Sequence, residues 1–260
     1  MQNQLKIALI QADLVWENPE QNRINFTKKI RSISEAVDVI LLPEMFTTGF
    51  TMNAEVVAET MKGETVEWML NLAKEINAAI VGSLIISEEN NYYNRLLFVE
   101  PSGSIKTYNK RHTFTLVGED KVFTAGNEKV IVDYKGWKIC PLICYDLRFP
   151  VWARNTEDYD VLLYVANWPK PRILAWDALL KARAIENMSY CIGVNRVGID
   201  GVNAEYNGHS AAYDVLGNRI TSIEFSKEQI EVITLEKKHI SAYRNMLKFL
   251  DDKDTFNLIK

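Results

Sequence analysis

The chain has 260 residues, of which 47% are hydrophobic and 25% are charged, so it has ample apolar material for one large core. The formal net charge is -4 and no long basic run occurs, which argues against nucleic acid as a partner. No apolar stretch approaches the roughly 20 residues that span a bilayer. The first residues lead directly into an apolar strand, so we expect no signal peptide and no membrane partner.

The three cysteines are too few and too odd in number for a disulfide framework. Cys140 and Cys144 are spaced C-x3-C, but no second pair of Cys or His residues accompanies them, as a zinc site would require. We therefore expect a reduced, cytoplasmic protein without a metal ion.

The first half of the chain predicts a β-α-β unit followed by a helix and a hairpin. This order favours parallel strands joined by a right-handed crossover. Residues 110–126 have no clear periodicity, and a loop of this length in a compact domain is often functional. Strands are predicted over residues 6–10, 37–42, 80–86, 92–99 and 105–108, and helices over 19–36 and 64–77.

The second half predicts a hairpin over residues 129–134 and 137–143, which ends at Cys144. We find no internal repeat, low-complexity tract or linker. The sequence therefore predicts a single α/β domain over residues 1–260, with mixed strands and with helices on the sheet faces. Further strands are predicted over residues 160–165, 190–197, 209–213 and 218–223, and helices over 151–155, 173–186 and 236–250.

Cys144 is the first candidate for a reactive residue. It follows an apolar strand, and Pro150 suits the first turn of a helix shortly after it. A cysteine at such a turn is lifted out of the sheet, and a helix that begins nearby would favour its thiolate. The competing interpretation is an ordinary buried core cysteine.

Two further candidates, Glu44 and Lys110, also follow predicted strands. Ligands gather at the carboxyl ends of strands in open α/β sheets, so an acid, a cation and a thiol could meet there. Taken singly, each could be a solvated loop residue, as could Glu119. His112 and His209 leave open a competing Cys–His arrangement.

Three segments together resemble the catalytic motifs of the nitrilase superfamily, the carbon–nitrogen hydrolases. They are LPEMFTTGF (residues 42–50), NKRH (109–112) and ICYDLRFP (143–150), and their order and separation also match. The resemblance spans essentially the whole chain and is strongest to the bacterial omega-amidase branch. Many members carry an acid after Arg-Phe-Pro, where this chain has Val151, and that departure concerns the branch more than the mechanism.

The resemblance implies a four-layer α-β-β-α sandwich, a homodimer and no cofactor. It implies hydrolysis of the terminal amide of dicarboxylic acid monoamides, such as 2-oxoglutaramate and 2-oxosuccinamate, through a cysteine thioester. Cys144 would be the nucleophile and Glu44 the base. Lys110 and the backbone N–H of Tyr145 would hold the oxyanion, and Glu119 would orient Lys110.

A substrate carboxylate needs a matched cation, and a guanidinium provides two parallel hydrogen bonds. We expect Arg172 to supply it, with Arg111 as the next candidate and Arg148 tied to nearby acids or carbonyls. Phe50 and Trp168 would wall the aliphatic chain of the substrate. The alternatives are another superfamily activity, namely a nitrilase, an N-carbamoyl-amine hydrolase or an amidase for deaminated glutathione, or a catalytically silent binding protein.

Overall fold

The computed structural model describes residues 2–258. The helices are α1 (Pro19–Arg31), α2 (Ala54–Val57), α3 (Glu64–Ile76), α4 (Pro150–Ala153), α5 (Ile173–Asn187) and α6 (Lys237–Leu247). The strands are β1 (Gln4–Gln11), β2 (Val39–Leu41), β3 (Ala79–Glu88), β4 (Asn91–Val99), β5 (Ile105–Asn109), β6 (Val132–Tyr134), β7 (Trp137–Ile143), β8 (Val161–Ala166), β9 (Tyr190–Asn195), β10 (Val197–Ile199), β11 (Glu205–Asn207), β12 (Ala211–Tyr213) and β13 (Gln229–Glu236).

The larger sheet has six strands in the order β13-β1-β2-β3-β4-β5. Strands β1, β2 and β3 run parallel, and β3 and β4 form the predicted hairpin. The outward side chains of these strands, such as Ile10 and Ile40, form a core with Phe26 of α1 and Met69 of α3. Helices α1 and α3 therefore cover the outer face of this sheet.

The smaller sheet has five strands in the order β12-β9-β8-β7-β6. Strands β7, β8 and β9 run parallel, while β6 and β7 form the predicted hairpin. Helix α5 lies against β9 so closely that a Cβ atom at Gly193 would stand 2.6 Å from the ring of Trp176 and 2.7 Å from Leu180. Because Gly193 has no Cβ atom, α5 can pack directly against β9. Helix α5 therefore covers the outer face of this sheet.

The inner faces of the two sheets share one core. Leu41 and Val81 of the larger sheet lie in the same buried cluster as Ile139 and Ile143 of the smaller one. Helix, sheet, sheet and helix thus form four layers, which confirms the predicted α-β-β-α sandwich. No helix in residues 2–258 is long and apolar enough to cross a membrane.

The sequence predictions of secondary structure differ from the structure at several places, including the following three. The strand predicted over residues 218–223 is wrong, because only an isolated bridge joins Arg219 to Tyr213 there. Strand β13 was not predicted, although it pairs with β1 along eight residues at the edge of the larger sheet. Helix α1 ends at Arg31 rather than at residue 36, since the backbone N–H of Ser32 caps the last turn.

Candidate active site

Cys144 lies at a sharp bend between β7 and the 3-10 helix Cys144–Arg148. Its φ of 42° is in the left-handed region, which is costly for a residue with a side chain and is typical of functional sites. Asp146 holds the bend, because its Oδ2 accepts a hydrogen bond of 3.0 Å from the backbone N–H of Ile143. The predicted strand-to-helix turn is therefore present, with Pro150 at the first position of α4.

Asp146 also fixes the segment that carries Lys110. Its Oδ2 accepts from the hydroxyl of Tyr108 (2.7 Å), and its Oδ1 accepts from the backbone N–H of His112 (3.0 Å). Because Asp146 is fully buried, this network joins the end of β5 to the cysteine turn without access to water.

Glu44 stands beyond the end of β2 and is fully buried. Its Oε1 accepts hydrogen bonds from Nζ of Lys110 (2.9 Å) and from Nδ2 of Asn94 (2.8 Å). Its Oε2 accepts from the backbone N–H of Asn167 (2.8 Å), which follows β8. Both oxygens of Glu44 are thus held in place by groups from three different elements.

Lys110 joins the two buried acids. Its Nζ lies 2.9 Å from Oε1 of Glu44 and 2.9 Å from each carboxylate oxygen of Glu119. Burial opposes the charge on Lys110, but the negative Glu119 and Glu44 outweigh it and raise its pKa above the ordinary value. Burial, reinforced by Glu44, raises the pKa of Glu119 although Lys110 opposes the shift. Glu119 thus lies where it can orient Lys110, and that role stays a prediction.

The surroundings of the Cys144 thiol oppose its ionisation. Burial, reinforced by the negative charge of Glu44, raises its pKa well above the ordinary value, and Lys110 offsets this only in part. The shift arises from burial and from the neighbouring charges, so the prediction that a nearby helix favours the thiolate stays a prediction. The 3-10 helix that begins at the cysteine spans only Cys144–Arg148.

The thiol and Lys110 open onto a cavity of about 550 Å³. Glu44 and Glu119 lie behind Lys110 and do not line this cavity. The predicted substrate-binding residues Tyr145, Phe50, Trp168 and Arg172 all line it, as do Phe114 and Arg148. The remaining lining residues are Trp16, Glu17, Thr51, Met52, Asn53, Val117, Asn167, Pro169, Asp200, Val202, Ala204 and Tyr206.

The three arginines considered for a substrate carboxylate are placed differently. The guanidinium of Arg172 lies over the ring of Phe114 at 5.1 Å. Arg111 does not line the cavity and donates to the carbonyl of Gly126 (3.2 Å). The prediction that Arg148 is tied to acids or carbonyls is wrong: within residues 2–258 its guanidinium donates to neither, and it lies in the cavity wall.

The competing Cys–His arrangement is not formed. Nδ1 of His112 lies 2.8 Å from Oδ1 of Asp146, and its ring stacks on Phe149. Nδ1 of His209 lies 2.9 Å from Oδ2 of Asp177. Neither imidazole lines the cavity that contains Cys144. In the described part of the chain, no group of three or more His, Cys, Asp or Glu side chains could hold a metal ion.

Asn94 and Asn167 were missed as site residues. Besides its contact with Glu44, Nδ2 of Asn94 lies 3.3 Å from Oε1 of Glu119, so one amide bridges both acids. Asn167 lies in a segment that carries the family resemblance, but Asn94 lies inside β4, where nothing in the sequence marks a polar residue as facing a site. Phe114 belongs to the 110–126 loop, whose length was the available signal.

The chain is similar to known amidases over its whole length. The family model described as carbon–nitrogen hydrolase matches residues 6–245. The chain is 44% identical to the omega-amidase YafV of Escherichia coli K12 over 254 residues, which cover 98% of each protein. It is 33% identical to the 2-oxoglutaramate amidase of Bacillus subtilis over 251 residues, which cover 95% of this chain and 96% of that protein.

The fold leads to the same conclusion. A CN-hydrolase superfamily protein from Xanthomonas campestris, solved with an arsenic adduct in its active site, superimposes with a TM-score of 0.96 at 40% sequence identity. The match covers 99% of this chain and 100% of that one. These likenesses confirm the resemblance to the nitrilase superfamily and its omega-amidase branch. The chain therefore belongs to the carbon–nitrogen hydrolase family.

Proposed function

We propose that this carbon–nitrogen hydrolase releases ammonia from the terminal amide of dicarboxylic acid monoamides, with 2-oxoglutaramate and 2-oxosuccinamate as substrates. The observation that carries the proposal is the buried Glu44–Lys110–Cys144 set beside a cavity whose wall holds uncommitted guanidinium groups. The similarity to an omega-amidase from Escherichia coli and to a 2-oxoglutaramate amidase from Bacillus subtilis supports the same substrate class.

In the first step the sulfur of Cys144 attacks the amide carbon while its proton passes to Glu44. Because burial and Glu44 raise the pKa of the thiol, we expect the proton to leave as the sulfur attacks. The carbonyl electrons move onto oxygen, where the ammonium of Lys110 and the backbone N–H of Tyr145 stabilise the negative charge. One such donor is commonly worth about 3 kcal/mol.

In the second step the tetrahedral intermediate collapses. Glu44 returns the proton to the amide nitrogen, the carbon–nitrogen bond breaks and ammonia leaves, so that the acyl group remains on Cys144 as a thioester. A water molecule then attacks the thioester and gives a proton to Glu44. The carbon–sulfur bond breaks, the sulfur regains that proton and the free acid departs.

At the far end of the substrate, Arg172 binds the carboxylate, while Phe50 and Trp168 wall the aliphatic chain. Stacking on Phe114 fixes the plane of the Arg172 guanidinium and leaves its edge available for a carboxylate. A neutral amide gains nothing from this contact, so the arginine selects substrates that carry an anionic end.

A screen of ammonia release tests the function. It compares 2-oxoglutaramate, 2-oxosuccinamate, succinamate, glutamine, asparagine, an N-carbamoyl amine, deaminated glutathione and simple nitriles. We expect the 2-oxo acid monoamides to give the highest kcat/KM. Faster turnover of deaminated glutathione or a carbamoyl amine would assign another superfamily activity, and no turnover of any compound would leave a binding protein.

We also propose that residues 1–260 act as one catalytic domain, that the protein is a homodimer and that it works in the cytoplasm. Helix α6 has an apolar face that the sequence offers as a possible dimer contact. Ile240 and Tyr243 on this face contact the protein's own core, so they do not support the dimer. Met246 and Phe249 support it better, since their side chains are 66% and 57% exposed. A monomer at micromolar concentration by light scattering would contradict the dimer.

A further inference from the structure

Arg148 is a cation in the cavity wall without an anionic partner. It ends the 3-10 helix that begins with Cys144, and its guanidinium lies over the ring of Trp168 at 4.8 Å. No acid or carbonyl in residues 2–258 accepts a hydrogen bond from it. A guanidinium carries five N–H donors, and stacking on an aromatic face leaves its edge free to donate. Arg148 is half-buried, so its edge is accessible from the cavity and available to an acceptor from outside the chain.

The acids in the same cavity wall are already engaged. Glu17 accepts from the hydroxyl of Thr51 at 2.5 Å. Asp200 accepts from the hydroxyl of Tyr206 at 2.8 Å and from the backbone N–H of Ala204 at 2.9 Å. These contacts satisfy the two acids locally, so neither serves as the counter-ion of Arg148.

Arg148 and Arg172 are held by the same indole although they belong to different elements. The ring of Trp168 lies under Arg148, and its Nε1 donates a hydrogen bond of 2.8 Å to the carbonyl of Arg172. The indole of Trp168 thus contacts the guanidinium of Arg148 and the backbone of Arg172, and both arginines line the same cavity. A substrate with a single carboxylate satisfies one of them and leaves the other beside a less charged part of the same molecule.

We propose that Arg148 donates to the 2-oxo oxygen of the substrate while Arg172 binds its carboxylate. In 2-oxoglutaramate the oxo group is closer to the reacting amide than the carboxylate is. Arg148 lies in the same short 3-10 helix as the nucleophile, whereas Arg172 lies at the start of α5. Arg148, which belongs to the same short helix as Cys144, therefore binds the oxo group, which is the nearer of the two. Arg148 would then select 2-oxo acid monoamides over dicarboxylic monoamides without the oxo group. This assignment rests on the proposed function.

A matched pair of substrates tests the assignment. 2-Oxoglutaramate and glutaramate have the same chain length, the same amide and the same carboxylate, and they differ only in the oxo group. For the wild-type protein, Arg148→Met and Arg172→Met, kcat/KM is measured on both substrates and on pentanamide, a neutral control. Thermal melting of each variant reports whether it folds.

We expect Arg148→Met to lower kcat/KM on 2-oxoglutaramate roughly 10- to 100-fold more than on glutaramate, as loss of one charged hydrogen bond predicts. Arg172→Met should lower kcat/KM on both acids by a similar factor, and by more than on pentanamide. Arg148→Lys, which keeps the charge, should restore part of the preference.

Two results would overturn the role of Arg148 and leave the proposed function intact. One is a wild-type protein that hydrolyses both acids without preferring 2-oxoglutaramate, and the other is an equal loss on both substrates in Arg148→Met. If Arg148→Met melts at a lower temperature than the wild-type protein, the ratio of kcat/KM on 2-oxoglutaramate to that on glutaramate is compared in Arg148→Lys instead. Failure of the wild-type protein to hydrolyse either monoamide would instead overturn the proposed function.

Discussion

Oε1 of Glu44 and Nζ of Lys110 lie 2.9 Å apart, and their side chains are 0% and 1% exposed. A charge pair removed from water survives only when its other hydrogen-bonding positions are also filled. Here Asn94 and the backbone of Asn167 complete the shell of Glu44, and Glu119 completes that of Lys110. The base is therefore fixed beside the thiol before any substrate binds.

The first prediction separates Glu44 from the histidines. Glu44→Gln should lower kcat to near the background rate, because the amide side chain keeps the shape but accepts no proton. His112→Gln and His209→Gln should leave measurable turnover, since neither imidazole lines the cavity. Steady-state ammonia release on 2-oxoglutaramate provides the comparison. A rate that survives Glu44→Gln but disappears with one histidine would support a Cys–His enzyme.

The second prediction concerns the protonation of Cys144. Since burial and Glu44 raise the pKa of its thiol, raising the pH through about 8.5, where a free thiol is half ionised, should leave it neutral. The ultraviolet difference spectrum between the wild-type protein and Cys144→Ala should therefore show no thiolate band over this range. A band at neutral pH would mean that the resting site holds a thiolate–lysine pair instead.

The third prediction concerns Asn94, a positioning residue that does not line the cavity. Asn94→Asp keeps the shape but replaces the donor to Glu44 and Glu119 with an acceptor. We expect kcat to fall roughly 10- to 100-fold and the pH profile to move, with KM nearly unchanged. Asn94→Ala, which adds no charge, should lower kcat less. Wild-type kcat and pH profile in Asn94→Asp would remove Asn94 from the mechanism.

The fourth prediction concerns the carboxylate anchor. Arg172→Met should raise KM for 2-oxoglutaramate and reduce its advantage over neutral amides by roughly 2–3 kcal/mol of binding. The thioether side chain keeps apolar contact with Phe114 while removing the charge. Michaelis curves on 2-oxoglutaramate and on a small neutral amide give the comparison. Equal slowing of both substrates, or of neither, would place the anchor elsewhere, with Arg148 as the remaining cavity arginine.

The parts of the site that the sequence predicts well are those that follow strands. Glu44, Lys110 and Cys144 each come directly after an apolar run, and the carboxyl ends of such strands are where α/β folds assemble ligands. The motif order then pointed to the family. Apolar periodicity predicts the parallel strands, both hairpins and most helices. An element that buries one face has regularly spaced apolar residues, and a strand buried on both faces is a continuous apolar run.

The parts that sequence reasoning missed depend on distance rather than pattern. Asn94 is one polar residue within a strand, and its value comes from two acids brought to it by other elements. Arg148 looked structural because it sits in a tight turn, yet that turn points it into the cavity. Strand β13 mixes half-buried charged and apolar residues at a sheet edge, so its period was not distinct.

The central claim is that amide hydrolysis proceeds through a thioester on Cys144. Rapid-quench mass spectrometry of the protein mixed with 2-oxoglutaramate tests it, followed by peptide mapping. A thioester intermediate predicts a mass gain equal to one 2-oxoglutaryl group on the peptide that carries Cys144, formed as ammonia is released. Cys144→Ala should give neither adduct nor turnover, while Cys140→Ala and Cys191→Ala, whose thiols are buried in the core, should give both. Turnover by a folded Cys144→Ala variant, or an adduct on another residue, would contradict it.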